Sequence, residues 1–276
     1  MSEFDLVDDE NHVLWGILGS GTTAFVSLYD EGTVLKGYVV YQDGNEVTFF
    51  RGDSTEHKTC LDREDQIYDR IGIHPNILRY YGTVEIAPGI YSLRLEYAAR
   101  RDLRSLIHLK QKSNPESLQT RLKWVCDIAS ALTHIHSRGV VHNDVSCRNI
   151  LLDSKNVVKL ADFGGANMDD QEPLGAAETR YGLPLRGRTW KDMSPVKEEI
   201  FAFGCAIYEI MAWEWPYHMF TDDEVNKLYA SERFPDLTGL PLAGIIRRCW
   251  TESYNTLGEV EEGLRASTLC VPDNPA

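Results

Sequence analysis

Two short stretches and the distance between them constrain what this chain can fold into. One reads His142-Asn143-Asp144-Val145-Ser146-Cys147-Arg148-Asn149, the other Asp162-Phe163-Gly164, and 18 positions separate Asp144 from Asp162. Between them, Ile150-Leu151-Leu152 and Val157-Val158-Lys159-Leu160 have the character of short strands, and Asp153-Ser154-Lys155-Asn156 that of the turn joining them. A hairpin of this size returns the chain to its starting point, so the loops flanking it open at one mouth. A hydroxyl attacking a phosphoryl group needs a carboxylate to orient it, and a metal-bound triphosphate needs hard oxygen ligands, usually a carboxylate and an amide. In this reading Asp144 orients the hydroxyl, and Asn149 and Asp162 are the metal ligands.

At these residues the chain resembles the eukaryotic protein kinase superfamily, whose catalytic loop reads H-R-D-L-x-x-x-N and whose magnesium loop reads D-F-G. A lone D-F-G is a chance tripeptide, but both motifs at the family's usual separation are not. The resemblance covers residues 13 to 266 and implies an α+β, bilobal fold. A small antiparallel β-sheet N-lobe, with one helix called αC in that family, would stand on a mainly helical C-lobe. The layout implied is an acidic tail over 1–12, an N-lobe over about 13–95, a hinge at 96–99, a C-lobe over 100–266 and a tail over 267–276. The implied cofactors are ATP and Mg2+. Compact single-domain kinases, including a fungal branch, carry similar catalytic loops.

The upstream half provides an independent test. Leu18-Gly19-Ser20-Gly21-Thr22-Thr23-Ala24-Phe25-Val26 is similar to the family's glycine-rich loop, with Ala24 where the third glycine would stand. Gly19 and Gly21 let backbone N–H groups approach phosphates without a Cβ in the way. Alone, the segment would serve equally as an ordinary turn. Residues 25–28 and 33–40 then read as strands joined at Asp30-Glu31-Gly32, and Val26 and Lys36 lie equally far from Glu31, as cross-strand partners do. The resemblance places Leu18 and Val26 at the adenine and Lys36 at the α- and β-phosphates.

Leu61, Glu64, Ile67, Tyr68 and Ile71 recur at helical spacing and stop at Gly72 and His74-Pro75. This run is similar to αC, which makes Glu64 the partner of Lys36 and leaves Asp62, Asp65 and Asp69 as a solvated face. Tyr68 and Tyr80 are expected to stack with Phe163 and His142 as a column between the lobes. Residues 91–98 alternate like a strand and resemble the family's hinge. Backbone groups of Glu96 and Ala98 would bond adenine, Leu95 would close the rear and Leu151 would line the same pocket, while the Glu96 side chain has no assigned role. Asp43-Gly44 predicts an added hairpin within residues 41 to 60.

The remainder reads as helical scaffold. Leu122, Val125, Ile128, Ala129, Leu132 and Ile135 form one apolar stripe ended at Ser137-Arg138-Gly139, and residues 200–211 are apolar nearly all round, as a buried helix is. Residues 242–250 and 260–264 predict two later helices. With 276 residues and 43% hydrophobic content, the chain can bury two cores. A net charge of −14 argues against nucleic acid or an anionic membrane as partner. No apolar run is long enough to insert in a bilayer and no leader pattern opens the sequence. The six cysteines lack zinc spacing and read as free thiols in a reducing cytoplasm, nuclear access remaining open, with Cys147 as packing. A monomer acting on a protein substrate is the expectation.

The departures from the family pattern are informative. Asn143 stands where the family's arginine meets an activation-segment phosphate, which predicts a non-RD enzyme independent of that modification and makes Thr179, Tyr181 and Thr189 weak regulatory candidates. Ser146 stands where serine/threonine kinases carry a phosphate-neutralising lysine; Arg148, as in the tyrosine-kinase pattern, can reach the same charge. Glu199 lies where an aspartate would brace the catalytic loop. The A-P-E glutamate is missing around residues 186–190, and so is its arginine partner after Cys249-Trp250, a joint loss that repacking can make neutral. Two function classes remain: an active protein kinase, serine/threonine favoured over tyrosine, with Asp144, Arg148, Lys36 and Glu64 as catalytic residues, and a pseudokinase acting as a scaffold. The presence of the lysine and both aspartates favours the first, and intact helices after the hinge disfavour a kinase of small molecules.

Overall fold

The structure is a computed structural model that describes residues 6–7, 13–14, 17–20, 24–37, 40–43, 46–49, 54–87, 89–110, 114–169 and 171–267. Its N-terminal half is built on one antiparallel sheet. Strand β1 (Leu6–Val7) pairs with β2 (Val13–Leu14), so part of the stretch expected to be a loose acidic tail is a short hairpin. Strands β3 (Ile17–Ser20), β4 (Phe25–Asp30) and β5 (Thr33–Gly37) follow. The hairpin expected at Asp43-Gly44 is formed by β6 (Val40–Asp43) and β7 (Glu46–Phe49), which ends β5 three residues before the predicted strand does. Helix α1 (Ser54–Ile71) starts well before the predicted run, because the apolar stripe that marks it in the sequence begins only at Leu61. After it come β8 (Tyr80–Ala87) and β9 (Ile90–Glu96), and the sheet order is β3-β4-β5-β9-β8.

The C-terminal half is helical. Helix α2 (Leu103–Lys110) and helix α3 (Leu118–His136) precede the short strand β10 (Val140–Val141). Ser117 caps α3 by accepting from the Thr120 N–H, and its eight buried side chains include the whole predicted stripe. Strands β11 (Ile150–Leu152) and β12 (Val158–Leu160) form the expected hairpin, and β13 (Asn167–Met168) pairs with β10. Helix α4 (Pro195–Ala212) is buried from Glu199 to Met211, packed against α6 (Ala243–Trp250); α5 (Asp222–Ala230) and α7 (Leu257–Ala266) complete the scaffold. The fold is thus α+β and bilobal, as the resemblance implied. Among the described residues no helix is long and apolar enough to cross a membrane.

The halves meet through the aromatic column. Tyr80 stacks on Tyr68 at 5.2 Å between ring centroids, Tyr68 meets Phe163 edge-on at 5.1 Å, and Phe163 lies 4.9 Å from the His142 ring.

Candidate active site

Register places the first functional side chain. Val26 pairs with Lys36 across β4 and β5, the partnership predicted from their equal distance to the turn. Lys36 is buried, and its Nζ donates to Glu64 Oε2 at 2.6 Å and to Asp162 Oδ1 at 2.7 Å. Burial alone would lower the Lys36 ammonium, but Asp162 and Glu64 outweigh it and hold it above its ordinary value. The Glu64 carboxyl is raised by its burial, whereas the Lys36 charge holds that of Asp162 down. Glu64 uses its second oxygen, Oε1, to accept the Phe163 N–H at 3.2 Å. One helix carboxylate therefore fixes both the lysine and the loop that carries Asp162. Its neighbours are less idle than expected: Asp65 accepts the Tyr80 hydroxyl and Asp62 pairs with Lys58, while Asp69 stays exposed.

The catalytic loop is held in an unusual backbone state. Asn143 and Asp162 both have φ near +65° (65° and 64°), the left-handed region that asparagine and aspartate enter more readily than other non-glycine residues. For Asn143 the constraint is visible: its N–H donates to Glu199 Oε2 at 2.9 Å, and its side-chain amide donates to Asn167 Oδ1 at 2.8 Å. Glu199, one methylene longer than the family's aspartate, therefore does brace the loop, and His136 pairs with its other oxygen at 2.6 Å. Asn149 donates its side-chain amide to Asp144 Oδ2 at 2.9 Å and to the Asp144 carbonyl at 2.8 Å, which leaves its side-chain oxygen, Oδ1, for other ligands. Asp144 Oδ1 is buried and has no hydrogen-bond partner among the described residues, and the same holds for the Ser146 hydroxyl. Burial raises the Asp144 carboxyl above its ordinary value; His142, Asn149 and Arg148 oppose this without overcoming it.

Arg148 reaches the site but is not solitary. Its Nε pairs with Glu178 Oε1 at 2.7 Å, and Glu178 also accepts from the buried Arg104. Arg104 turns its Nε and Nη2 to Glu209, at 3.1 and 3.2 Å. Glu178 and Arg104 carry no sequence signal, because nothing in their spacing marks a contact with the catalytic loop. A second group was also missed. Where the family's glutamate and arginine are both absent, Arg188 Nη2 pairs with Glu252 Oε1 at 2.8 Å and Arg186 pairs with the same carboxylate. The ion pair is retained with its polarity reversed. Thr179, Tyr181 and Thr189 each donate a hydroxyl to a carboxylate, of Asp222, Glu209 and Asp192 respectively, and Tyr181 is fully buried.

At the far end of the site, Val26 and Leu151 are half-buried and Leu95 is buried. The Glu96 N–H is taken by the Arg79 carbonyl at 2.8 Å, so only its carbonyl remains as a hinge group. The Glu96 side chain, expected to be idle, accepts from the Arg79 N–H and pairs with Lys159 at 3.2 Å. Ala98 has no backbone hydrogen bond among the described residues. Leu18 is exposed and Gly19 sits opposite Val26, while Gly21 lies outside the described residues. Cys147 is buried, its thiol pushed up by that burial, and acts as packing.

A family model described as protein tyrosine and serine/threonine kinase matches residues 31–260. The serine/threonine-protein kinase Nek3 of Mus musculus is 30% identical over 193 residues, covering 68% of this chain and 37% of that protein. The serine/threonine/tyrosine-protein kinase HT1 of Arabidopsis thaliana is 28% identical over 195 residues, 65% of this chain and 47% of that protein. The discoidin domain-containing receptor tyrosine kinase B of Caenorhabditis elegans is 32% identical over 159 residues, 55% of this chain and 19% of its own length. The chain spans less than half the length of each of these curated relatives. Because the family match runs from the turn between β4 and β5 into α7 and takes in both motif loops, the chain belongs to the protein tyrosine and serine/threonine kinase family.

Proposed function

We propose that this chain is an ATP- and magnesium-dependent protein kinase that transfers the γ-phosphoryl group to a protein hydroxyl, serine or threonine in preference to tyrosine. The observation that carries this reading is the buried, unpartnered Asp144 Oδ1. A buried acceptor left without a partner costs stability, and on this loop a substrate hydroxyl would satisfy it. The residues also fit the cofactor. Asp162 is half-exposed and Asn149 keeps its side-chain oxygen Oδ1 available; two such donors are what magnesium takes from a protein when phosphates and water complete its shell. When bound, MgATP would supply the phosphoryl group, and its metal the positive charge that offsets the negative charge on the phosphate oxygens. Lys36, fixed by Glu64, holds the α- and β-phosphates, and Arg148 offers a planar guanidinium to the group in transfer. Two of the relatives quoted above are named for serine/threonine activity, alone or with tyrosine, which supports the hydroxyl preference.

The test is incubation with labelled ATP, magnesium and a mixed peptide library, followed by phospho-amino-acid analysis. Phosphoserine and phosphothreonine are expected, with turnover by Asp144→Asn reduced by roughly 10²–10⁴-fold and nucleotide binding retained. A wild-type chain that binds nucleotide and labels nothing would instead be a scaffold.

A further inference from the structure

We infer that Glu178 is a positioning residue, whose carboxylate holds the guanidinium of Arg148, on the loop that bears Asp144, in the geometry that phosphoryl transfer requires. The inference rests on the proposed kinase activity and deepens it. Arg148 has a side chain 55% exposed, and a long exposed arginine samples many rotamers unless something fixes it. Among the described residues, Glu178 is the group that does so, through Arg148 Nε at 2.7 Å. That contact leaves the terminal nitrogens of Arg148 free to meet phosphate oxygens.

Glu178 is itself held rigidly. Both of its oxygens accept from Arg104 Nη1, at 2.8 and 2.7 Å. Arg104 is buried, with its opposite edge locked to Glu209, and its backbone N–H donates to the Cys147 carbonyl in the catalytic loop at 3.1 Å. The chain of contacts therefore runs from buried α4, through α2, to an activation-segment carboxylate and back to the loop that bears Asp144. This arrangement also separates the positioning role from a structural one. If Glu178 loses its charge, Arg104 still has Glu209, so the buried cation is not stranded. Arg148 loses its partner. A carboxylate that only sequestered Arg148 would have the opposite effect, since its removal would free the arginine for phosphate.

The experiment is a double-mutant cycle on the full chain with MgATP and a peptide that the wild type phosphorylates. It reads kcat, KM for ATP and the urea midpoint for wild type, Glu178→Gln, Arg148→Ala and the double variant, with Glu178→Asp as the conservative control. Glu178→Gln is expected to lower kcat about tenfold or more, with KM for ATP within about threefold and the urea midpoint little changed. The double variant should match Arg148→Ala, because the first residue acts through the second. Glu178→Asp, which keeps the charge, should recover part of kcat. An unchanged or raised kcat in Glu178→Gln, or losses that multiply in the double variant, would overturn the inference. Should Glu178→Gln fail to fold, Glu178→Asp decides: wild-type kcat with Arg148 out of reach overturns the inference, and a kcat loss that vanishes in the Arg148→Ala background supports it. A wild type that binds MgATP but transfers nothing overturns the kinase reading and this inference together, whereas an active wild type with multiplying losses overturns this inference alone.

Discussion

Asp144 is buried enough that its carboxyl sits above the ordinary aspartate value, and only the ionised form can accept a hydroxyl proton. The sign of the pH effect follows. Below the raised pKa the carboxyl is protonated and transfer stops; above it, the base is available. The acid limb of kcat/KM is therefore expected above the ordinary aspartate value of 3.8. Arg148→Ala should move that limb to still higher pH, because it removes a cation that favours the charged form. A pH profile of both proteins checks this, and a limb that does not move would assign the titration to another group. At the same scale, Asn143 ties its loop to β13 with neutral groups, its side-chain amide donating to Asn167 Oδ1.

Elements are fixed by contacts the sequence pattern only hints at. Helix α4 approaches α6 so closely that a Cβ on Gly204 would lie 2.6 Å from Cys249 Cβ and 3.3 Å from the Trp250 ring. Replacing a helical glycine by alanine normally gains about 1 kcal/mol, but overpacking a core costs roughly 1 to 3 kcal/mol. The clash should win here, and Gly204→Ala is expected to destabilise the chain by up to about 2 kcal/mol in urea unfolding. A more stable variant would mean that α6 can retreat at little cost. The segment after Phe163 follows the same rule at Gly165 and Gly175, where a Cβ on either would come within 3.0 or 2.8 Å of the other's backbone. The Gly165 carbonyl accepts the N–H of both Leu174 and Gly175, at 3.2 and 3.1 Å, which folds the intervening loop back on itself.

At the scale of the whole molecule, the two halves are joined by the aromatic column and by the Lys36, Glu64 and Asp162 cluster. A ligand that spans them should stabilise both together. MgATP at a hundred times its Kd is expected to raise the unfolding free energy by about 2.7 kcal/mol, and either EDTA or Asp162→Asn should abolish most of that gain. Calorimetric or urea unfolding measures it, and an equal gain without metal would remove Asp162 from the metal site. Much of this was legible beforehand. Local spacing located the two loops with their hairpin, the Val26 and Lys36 register, and the stripes of α3 and α4, since periodicity and turn chemistry act over a few residues. It did not reveal the full length of α1, whose first turns lack the apolar stripe, nor the pairing of Leu6–Val7, in the acidic tail, with Val13–Leu14. The sequence by itself determined which groups the site contains, because a phosphate-handling loop needs particular side chains at particular intervals. Only the tertiary structure decided who holds them: Glu178 on Arg148, the reversed pair of Arg186 and Arg188 with Glu252, Asn167 on Asn143. Those partners are distant along the chain, and a charge's partner is set by where packing buries it, a property that no local pattern encodes.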